Sequence, residues 1–327
     1  MFKAWIITKA NTKQTAVLTQ LDEGQLPQGD VTVRVVNSSI NYKDALAFTG
    51  KAPIVRRFPM VPGVDLAGIV EQSTDHNYRP GDEVMVNGWE IGEVHWGGLT
   101  ELARLRSEWL MRLPEPLTFF DAMAIGTAGY TAMLAVMALE KFGVDPDKGE
   151  ILVTGAGGGV GGFAISFLAK LGYQVVASTG RLQESAYLKS LGATEVIDRA
   201  QFSGAGKALG KERWAGAVDN AGSHTLVNVC ATLKRGGAVA CCGNAQGMDF
   251  PATVAPFILR GVTLIGIDSN LCPMPARLLA WDRIARTVDQ KTISEITQTR
   301  PLSEAMTTAE EVLAGKIRGR VVIDINA

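Results

Sequence analysis

The 327-residue chain is long enough for two domains, each with its own buried core. Hydrophobic residues make up 46% of the chain and charged residues 20%, a balance typical of globular rather than disordered proteins. Lysine and arginine total 32 against 33 aspartate and glutamate, so the net charge of −1 provides no basic field that would bind nucleic acid or an anionic membrane.

The first part of the chain is predicted to be β-rich. Its first five residues lack the basic, apolar and small-residue zones of a secretory signal. Up to about residue 115, short β-type runs such as 31–36 and 83–86 alternate with Pro and Gly. This pattern predicts an irregular barrel or sandwich, which we place at residues 1–120.

A run without charged residues follows at 122–139 and is just long enough for a membrane span. It is rich in alanine and contains Gly126 and Gly129, but it lacks the density of Leu, Ile and Phe that favours membrane insertion. We interpret it as two buried helical segments that meet at a glycine turn, and we expect no membrane association.

Six apolar, strand-like runs come next, with helical stretches between several of them. They lie at 151–154, 174–178, 195–197, 217–219, 238–241 and 262–266. This alternation predicts an α/β fold, a doubly wound parallel sheet of the Rossmann type over residues 121–290. A helix is predicted around 276–288. The final strand at 320–325 is expected to return to the first domain, so that residues 291–327 complete it.

The four cysteines indicate a reducing environment. They form no CxxC pair and no array at zinc-ligand spacing, and a chain of this length does not depend on disulfides. We therefore expect a cytoplasmic protein. Cys241 and Cys242 are interpreted as small core residues rather than reactive thiols.

The first strand of the predicted sheet runs into a glycine-rich turn. The segment 151–162 reads ILVTGAGGGVGG and leads into a predicted helix at 160–171. Because glycine has no Cβ, a pyrophosphate can approach the backbone at the positive helix N-terminus. We predict that Gly157, Gly158, Gly159 and Val160 bind a dinucleotide. The alternative, a tight turn without a ligand, is disfavoured by the strand before it and the helix after it.

The end of the second strand predicts which dinucleotide binds. In NAD-specific sites an acid lies about 20 residues beyond the turn and binds the adenosine 2′-hydroxyl. Here that position reads Ser178-Thr179-Gly180-Arg181, without a carboxylate. Hydroxyls and an arginine complement a phosphate dianion, so we predict NADPH. The alternative is that Arg181 is a solvated residue at the start of the next helix.

Four further segments carry a resemblance that covers nearly the whole chain: 41–44 (NYKD), 62–68 (PGVDLAG), 81–84 (GDEV) and 126–132 (GTAGYTA). In this order they resemble the medium-chain dehydrogenase/reductase superfamily. Its zinc-dependent members carry a cysteine and a histidine in the first two segments, and this chain has neither. His76, His95 and His224 also lie away from any cysteine cluster. We therefore predict no catalytic or structural zinc.

Within the zinc-free, quinone-oxidoreductase-like branch, the chain is similar to the NADPH-dependent acrylyl-CoA reductases. The segments that carry this similarity are 92–99, 214–219, 256–260 and 266–269. The resemblance implies reduction of the C=C bond of acryloyl-CoA to propanoyl-CoA, a GroES-like catalytic domain beside the Rossmann domain, a cleft between the two, and a homodimer. Two alternatives stay open: an NADPH:quinone oxidoreductase acting on small quinones or enones, and a non-catalytic NADPH-binding sensor.

The candidate catalytic residue is Tyr42, because the resemblance places its segment at the nicotinamide end of the cleft. A buried tyrosine, or one that only contacts coenzyme, is the alternative. Asn41 and Asp44 are expected to stabilise that loop through hydrogen bonds to its backbone. The resemblance also implies coenzyme contacts at Thr127, Asn220, Cys242, Gly243, Asn244, Phe257, Ile258 and Arg320. Of these, 220 and 242–244 also follow from the fold, since ligands bind beyond the carboxyl ends of parallel strands.

Three basic residues, Lys51, Arg56 and Arg57, lie close together downstream of Tyr42. Ammonium and guanidinium groups bind phosphates, so this basic segment is a candidate site for the phosphates of the CoA moiety. The alternative is a solvated face of a loop.

Overall fold

A computed structural model of the protein describes residues 1–11 and 13–327. The chain forms two compact units. The first contains Met1–Thr127, Asn270–Ala285 and Ile293–Ala327, and the second contains Ala128–Ser269 and Arg286–Thr292. Segment Asn270–Ala285 therefore belongs to the first unit, whereas the sequence analysis places it with the second. The reason is tertiary: Arg277 is fully buried and donates through Nη1 to the backbone oxygen of Asn87 at 2.7 Å.

The first 115 residues are β-rich, as predicted. The elements up to the long apolar helix are β1 (Phe2–Ala10), β2 (Lys13–Leu21), β3 (Val31–Ile40), α1 (Tyr42–Thr49), β4 (Asp65–Ser73), β5 (Glu83–Asn87), β6 (Leu102–Leu105), β7 (Met111–Arg112) and α2 (Phe119–Lys141). Strand β3 illustrates why they form. Its β-branched residues favour extended backbone, and Val31, Val33 and Val35 bury one face completely.

The six predicted strands of the nucleotide-binding half are confirmed. The elements are β8 (Ile151–Val153), α3 (Gly159–Lys170), β9 (Val175–Thr179), α4 (Ser185–Ser190), β10 (Ala193–Asp198), β11 (Trp214–Asp219), α5 (Ser223–Thr232), β12 (Leu233–Cys241), α6 (Ala255–Arg260) and β13 (Thr263–Gly266). Helix α3 matches the helix predicted at 160–171 to within one residue.

The tail contains two helices, a strand, a further helix and a final strand. They are α7 (Met274–Thr287), α8 (Gln290–Ile296), β14 (Thr297–Pro301), α9 (Ala305–Leu313) and β15 (Arg320–Asp324). The helix predicted around 276–288 corresponds to α7. Helices α8 and α9 and strand β14 are not among the elements predicted from the sequence.

In the first unit a seven-stranded sheet has the order β14-β15-β3-β4-β5-β7, with β6 paired to β3, and β1 and β2 form a separate hairpin. β15 runs antiparallel to β3, with Val321 opposite Ile40. The carboxyl-terminal strand is thus part of the first unit. This sheet encloses a core to which β3, β4, α1 and α9 contribute.

In the second unit a parallel sheet has the order β10-β9-β8-β11-β12-β13. The order reverses direction at β8, which is the topological switch point of a doubly wound fold. Ligands of such sheets bind beyond the carboxyl ends of the strands next to this point. The ends of β8, β9, β11 and β12 are therefore where a coenzyme is expected.

Helix α2 is the one helix of the described residues that has the length and hydropathy of a membrane span, and most of it is buried inside the protein. Its helical geometry is interrupted at Gly126, where φ is 48° and ψ is −158°. The prediction of two buried helical segments that meet at a glycine is confirmed.

Candidate functional site

The glycine-rich turn between β8 and α3 presents the start of a helix. Helix α3 begins at Gly159, and Gly158 before it provides no side-chain cap. A Cβ on Gly161 would lie 2.7 Å from the Cα of Ala156, so only glycine lets the helix pack on the turn. The first amides of a helix have no acceptor inside it, and residues 158–160 are partly exposed. The turn therefore offers N–H donors to an anion such as a pyrophosphate.

Arg181 lies beside this turn. Its Nη2 donates to the backbone oxygen of Gly157 at 3.1 Å, and its backbone N–H donates to Oγ1 of Thr179 at 3.1 Å. Its Nε lies 3.2 Å from Oε2 of Glu184. The structure thus brings the predicted guanidinium to the glycine turn and pairs it with an acid that the sequence analysis did not consider.

The two predicted hydroxyl donors at the end of β9 are buried. Ser178 is 1% exposed and Thr179 is 4% exposed. The Ser178 hydroxyl has no hydrogen-bond partner among the described residues, while its backbone oxygen accepts from Ala156 at 3.1 Å. These residues attach the end of β9 to the glycine turn, and Arg181 and Gly180 form the more accessible part of this corner.

A second arginine, Arg199, reaches the same corner and was missed by the sequence analysis. Asp198 of β10 is in register with Thr179 of β9, so Arg199 follows directly beside Gly180. A Cβ on Gly180 would lie 2.8 Å from Cζ of Arg199. Arg199 is exposed and forms no ion pair with any described residue. The signal in the sequence is that the second and third strands both have a basic residue just beyond their ends.

The ends of β8, β11 and β12 are connected by side-chain hydrogen bonds. Oγ1 of Thr154 donates to Oδ1 of Asp219 at 2.7 Å, and Nδ2 of Asn220 donates to the backbone oxygen of Thr154 at 2.7 Å. The thiol of Cys242 contacts Oδ1 of Asn220 at 3.3 Å. Burial raises the pKa of the Asp219 carboxyl. The structure therefore brings Asn220 and Cys242 together at the predicted edge of the sheet.

The residues next to this edge differ in accessibility. Gly243 packs closely on Asn220, because a Cβ there would lie 2.8 Å from the Asn220 Cα. Asn244 is exposed, and its Nδ2 lies 2.7 Å from Sδ of Met248. In α6, Phe257 packs against the core of the second unit, whereas Ile258 is 73% exposed. Of the predicted contacts in this region, Asn244 and Ile258 are the accessible ones.

The thiols near this edge are held in their protonated form. Burial raises the pKa of Cys242 and, less strongly, that of Cys241. Burial also raises the pKa of Cys230 to about 12. Since the thiolate is the reactive species, these cysteines behave as core residues.

In the first unit Tyr42 is the first residue of α1 and is 46% exposed. The loop before it is held by Asp44, whose Oδ2 accepts from the backbone N–H of Asn41 at 2.8 Å and whose Oδ1 accepts from that of Val64 at 2.9 Å. The predicted role of Asp44 in stabilising this loop is confirmed. Burial, with a further contribution from the nearby Asp65, raises the pKa of Asp44 to about 7.

Arg320 and Thr127, both expected to contact coenzyme, belong to a buried network around Asp65. Oγ1 of Thr127 donates to Oδ1 of Asp65 at 2.5 Å, and its backbone N–H donates to Oδ2 at 3.0 Å. Arg320 is 3% exposed. Its guanidinium donates to the backbone oxygens of Ile40, Met123 and Ala124, to Oδ1 of Asn41 and to Oγ of Ser39. These five bonds use all five guanidinium donors, so Arg320 has none left for a coenzyme in this conformation.

Of the three cations in the basic segment Lys51, Arg56 and Arg57, one is neutralised by acidic neighbours and two are not. Arg56 pairs with Glu90 and, at 3.3 Å, with Glu93. Lys51 and Arg57 are exposed, and neither forms an ion pair with a described residue. Only these two carry charge that is available to a phosphate.

No group of three or more His, Cys, Asp or Glu side chains in residues 1–11 and 13–327 is arranged to hold a metal ion. The absence of zinc stays a prediction. His95, the one histidine in a family-like segment, lies with Nε2 2.7 Å from the backbone oxygen of Arg104, and burial lowers its pKa.

Two protein-family descriptions match the chain. "Alcohol dehydrogenase GroES-like domain" matches residues 27–115, and "Zinc-binding dehydrogenase" matches residues 159–283. The first match lies within the β-rich unit. The second begins at the first residue of α3 and extends through the parallel sheet into α7.

Similar proteins match over the full chain. The probable acrylyl-CoA reductase AcuI of Escherichia coli (strain K12) is 48% identical over 324 residues, which cover 99% of this chain and 100% of that protein. The acrylyl-CoA reductase AcuI of Ruegeria pomeroyi is 47% identical over 330 residues, which cover 100% of both chains. The crystal structure of E. coli K-12 YhdH with bound NADPH superimposes with a TM-score of 0.97 at 49% identity, covering 99% of this chain and 100% of that one.

Proposed function

This chain belongs to the medium-chain dehydrogenase/reductase superfamily, and we propose on that premise that it reduces the C=C bond of an α,β-unsaturated acyl-CoA with NADPH. Acryloyl-CoA, reduced to propanoyl-CoA, is the proposed substrate. The support is the full-length similarity to two proteins named acrylyl-CoA reductase.

The coenzyme, when bound, supplies a hydride, and the protein supplies position and charge. A thioester conjugated to a double bond is electron-poor at its β-carbon, so it accepts a hydride without a metal that polarises the carbonyl. The protein must hold the β-carbon in reach of the hydride and stabilise the negative charge that develops on the thioester oxygen. A proton then adds to the α-carbon.

One observation carries the choice of NADPH: Arg181 lies on the glycine turn, with its Nη2 bonded to the oxygen of Gly157. The turn fits a dinucleotide because residues 158–160 are partly exposed and the first amides of α3 have no acceptor within the helix. Arg181, which also pairs with Glu184, and Arg199, which forms no ion pair with a described residue, place two guanidinium groups at the corner where a 2′-phosphate would lie. We propose that both arginines bind this phosphate, while Gly157, Gly158, Gly159 and Val160 bind the pyrophosphate.

For the chemical step we propose Tyr42 as the donor to the thioester oxygen. Its side chain is 46% exposed at the start of α1, and the loop before it is held by Asp44. These bonds fix the backbone from which the Tyr42 side chain extends, and a donor whose backbone is held in place needs less reorganisation to bind the developing charge. Asn220 and Asn244 are proposed to contact the coenzyme, since they lie at or just beyond the carboxyl edge of the parallel sheet. Ile258 of α6 is proposed as a further contact because the family resemblance implies it.

For the CoA moiety we propose Lys51 and Arg57. Both are exposed cations that form no ion pair with a described acidic residue. Lys51 lies two residues beyond the end of α1, an eight-residue helix of about 12 Å that begins at Tyr42, so a pantetheine arm could span the distance between them. Arg56 is left out because Glu90 and Glu93 already neutralise it.

We also propose that the protein is a cytoplasmic homodimer. β13 supports the dimer, because it is an edge strand with Leu264 exposed, and the neighbouring α6 exposes Leu259.

The deciding experiment follows NADPH oxidation with acryloyl-CoA, crotonoyl-CoA and a benzoquinone, and repeats each reaction with NADH. We expect acryloyl-CoA with NADPH to be turned over most efficiently. Faster turnover of the quinone than of either CoA ester would favour a quinone reductase instead. Binding of NADPH without turnover of any of the three substrates would favour a non-catalytic role.

A further inference from the structure

We propose that Glu184 is a specificity-determining residue that weakens the preference for NADPH. Its carboxylate opposes the 2′-phosphate of NADPH and favours the free ribose hydroxyl of NADH. The inference rests on the proposed function only in requiring that a dinucleotide binds at the glycine turn.

Glu184 and Arg181 cover the same glycine. A Cβ on Gly157 would lie 2.8 Å from Nη2 of Arg181 and 3.0 Å from Oε2 of Glu184. The two side chains also form an ion pair, with Nε of Arg181 3.2 Å from Oε2 of Glu184. A positive and a negative group therefore occupy the corner next to the turn where the adenosine ribose is expected.

The Oε2 atom of the partly buried Glu184 side chain is an unused acceptor. Its side chain is 16% exposed, and Oε2 has no hydrogen-bond donor among the described residues. Arg181 does not act as this donor, because the geometry of its ion pair with Glu184 is not that of a hydrogen bond. A buried acceptor without a donor is costly, and a ribose hydroxyl is a donor of the right kind.

The charge of Glu184 acts in the opposite direction on a phosphorylated ribose. A carboxylate a few ångströms from a phosphate dianion repels it, and this repulsion is weakly screened where water has little access. The guanidinium of Arg181 does not depend on Glu184 alone for its position, since its Nη2 is also bonded to the backbone oxygen of Gly157. Neutralising Glu184 should therefore remove the repulsion and leave the guanidinium in place.

The position of Glu184 in the sequence explains why the usual search for an acid at the end of the second strand does not find it. NAD-specific sites carry their carboxylate at the end of the second strand, which here is Thr179. Glu184 lies five positions further on, just before α4. The chain folds back between the two positions, and this returns the carboxylate to the glycine turn.

The test is the substitution Glu184→Gln, which removes the charge and keeps the size. Calorimetry would measure Kd for NADPH, NADH, 2′,5′-ADP and 5′-AMP, without substrate and without turnover. We expect NADPH and 2′,5′-ADP to bind about tenfold more tightly to the variant, and NADH and 5′-AMP to bind equally or up to about fivefold more weakly. The ratio of the NADH and NADPH constants should then rise at least about tenfold.

A matched control is Glu150→Gln. Glu150 also pairs with an arginine, Arg213 at 3.0 Å, but it precedes the amino end of β8, the opposite end of the strand from the glycine turn. The ratio of the Kd values for NADH and NADPH should be the same for Glu150→Gln as for the unmodified protein. Arg181→Gln should weaken 2′,5′-ADP binding and leave 5′-AMP binding within about twofold.

The proposal is overturned if Glu184→Gln weakens 2′,5′-ADP binding, or changes the constants for the phosphorylated and unphosphorylated ligands by the same factor. A circular-dichroism melt of each variant separates these results from misfolding. Failure of the protein to turn over any acyl-CoA would contradict the proposed function and leave the binding ratio, and hence this inference, intact.

Discussion

The guanidinium of Arg320 lies 3.7 Å from the carboxylate of Asp65, and both side chains are buried. Arg320 is the first residue of the carboxyl-terminal strand β15, and Asp65 is the first residue of β4. Glycine at position 126 allows them to meet, since a Cβ there would lie 2.7 Å from Oδ2 of Asp65. The pair therefore joins the chain's tail to the central sheet of the first unit and to the break in α2.

The first prediction concerns this pair. Arg320→Lys leaves most of the five acceptors unpaired and the Asp65 charge poorly compensated, so the free energy of unfolding should fall by about 3 kcal/mol or more. Urea unfolding checks this, with the exposed Arg318→Lys as the control. A variant of unchanged stability that binds NADPH more weakly would instead make Arg320 a coenzyme ligand.

The second prediction is a pH dependence from Asp44. Its pKa is about 7 in the folded protein and near 3.8 when unfolded, so ionisation opposes folding. Stability from the protonated form is complete below pH 4 and is lost as the pH rises towards 7, at on the order of 1 kcal/mol per pH unit.

The check for Asp44 is the difference between the unmodified protein and Asp44→Asn, which cannot ionise. We expect urea midpoints measured between pH 4.5 and 7.5 to show the stability of the unmodified protein falling relative to the variant as the pH rises. A difference that does not change over this range would mean that Asp44 titrates normally.

The third prediction separates two glycines of the turn. Gly161→Ala places a Cβ against the backbone of Ala156, so it should lower stability by about 1–3 kcal/mol. Gly158→Ala meets only the oxygen of Gly155 at 3.4 Å, so it should fold normally. It should bind NADPH at least about tenfold more weakly, because its Cβ would occupy space at the proposed pyrophosphate site. Thermal melts and NADPH fluorescence titration distinguish the two effects, and Gly204→Ala, in open space, should change neither.

The fourth prediction tests Tyr42. If its hydroxyl donates to the thioester oxygen, Tyr42→Phe should lower kcat for acryloyl-CoA by about a hundredfold. The KM for NADPH should stay within about twofold. Steady-state kinetics with each substrate varied in turn measures both constants. A rise in KM for NADPH with an unchanged kcat would assign Tyr42 to coenzyme contact alone.

The fifth prediction compares adjacent arginines. Arg57→Ala should raise the KM for acryloyl-CoA about threefold to tenfold, since a charge-assisted phosphate contact is lost. Arg56→Ala should change it less than twofold, because Glu90 and Glu93 already neutralise Arg56. The effect of Arg57 should also shrink with a dephospho-CoA ester. Equal effects of the two substitutions would argue against a phosphate site in this segment.

The sequence by itself determined the parallel sheet, the glycine turn and the class of coenzyme. These follow from local patterns: apolar strand runs, a glycine segment between a strand and a helix, and the absence of an acid at the end of β9. Each depends on residues that are near one another along the chain, so no tertiary contact is needed to recognise it.

Only the tertiary structure decided which polar groups meet and which are buried. Arg199 reaches Gly180 through the pairing of β9 with β10, and Glu184 returns to Gly157 across 27 positions of sequence. Arg320 is enclosed by β3 and α2, and Arg56, unlike Arg57, finds two acids. A sequence shows which residues are charged. Whether such a charge can bind a ligand depends on its ion-pair partners and on its exposure to solvent, and both are established only by packing.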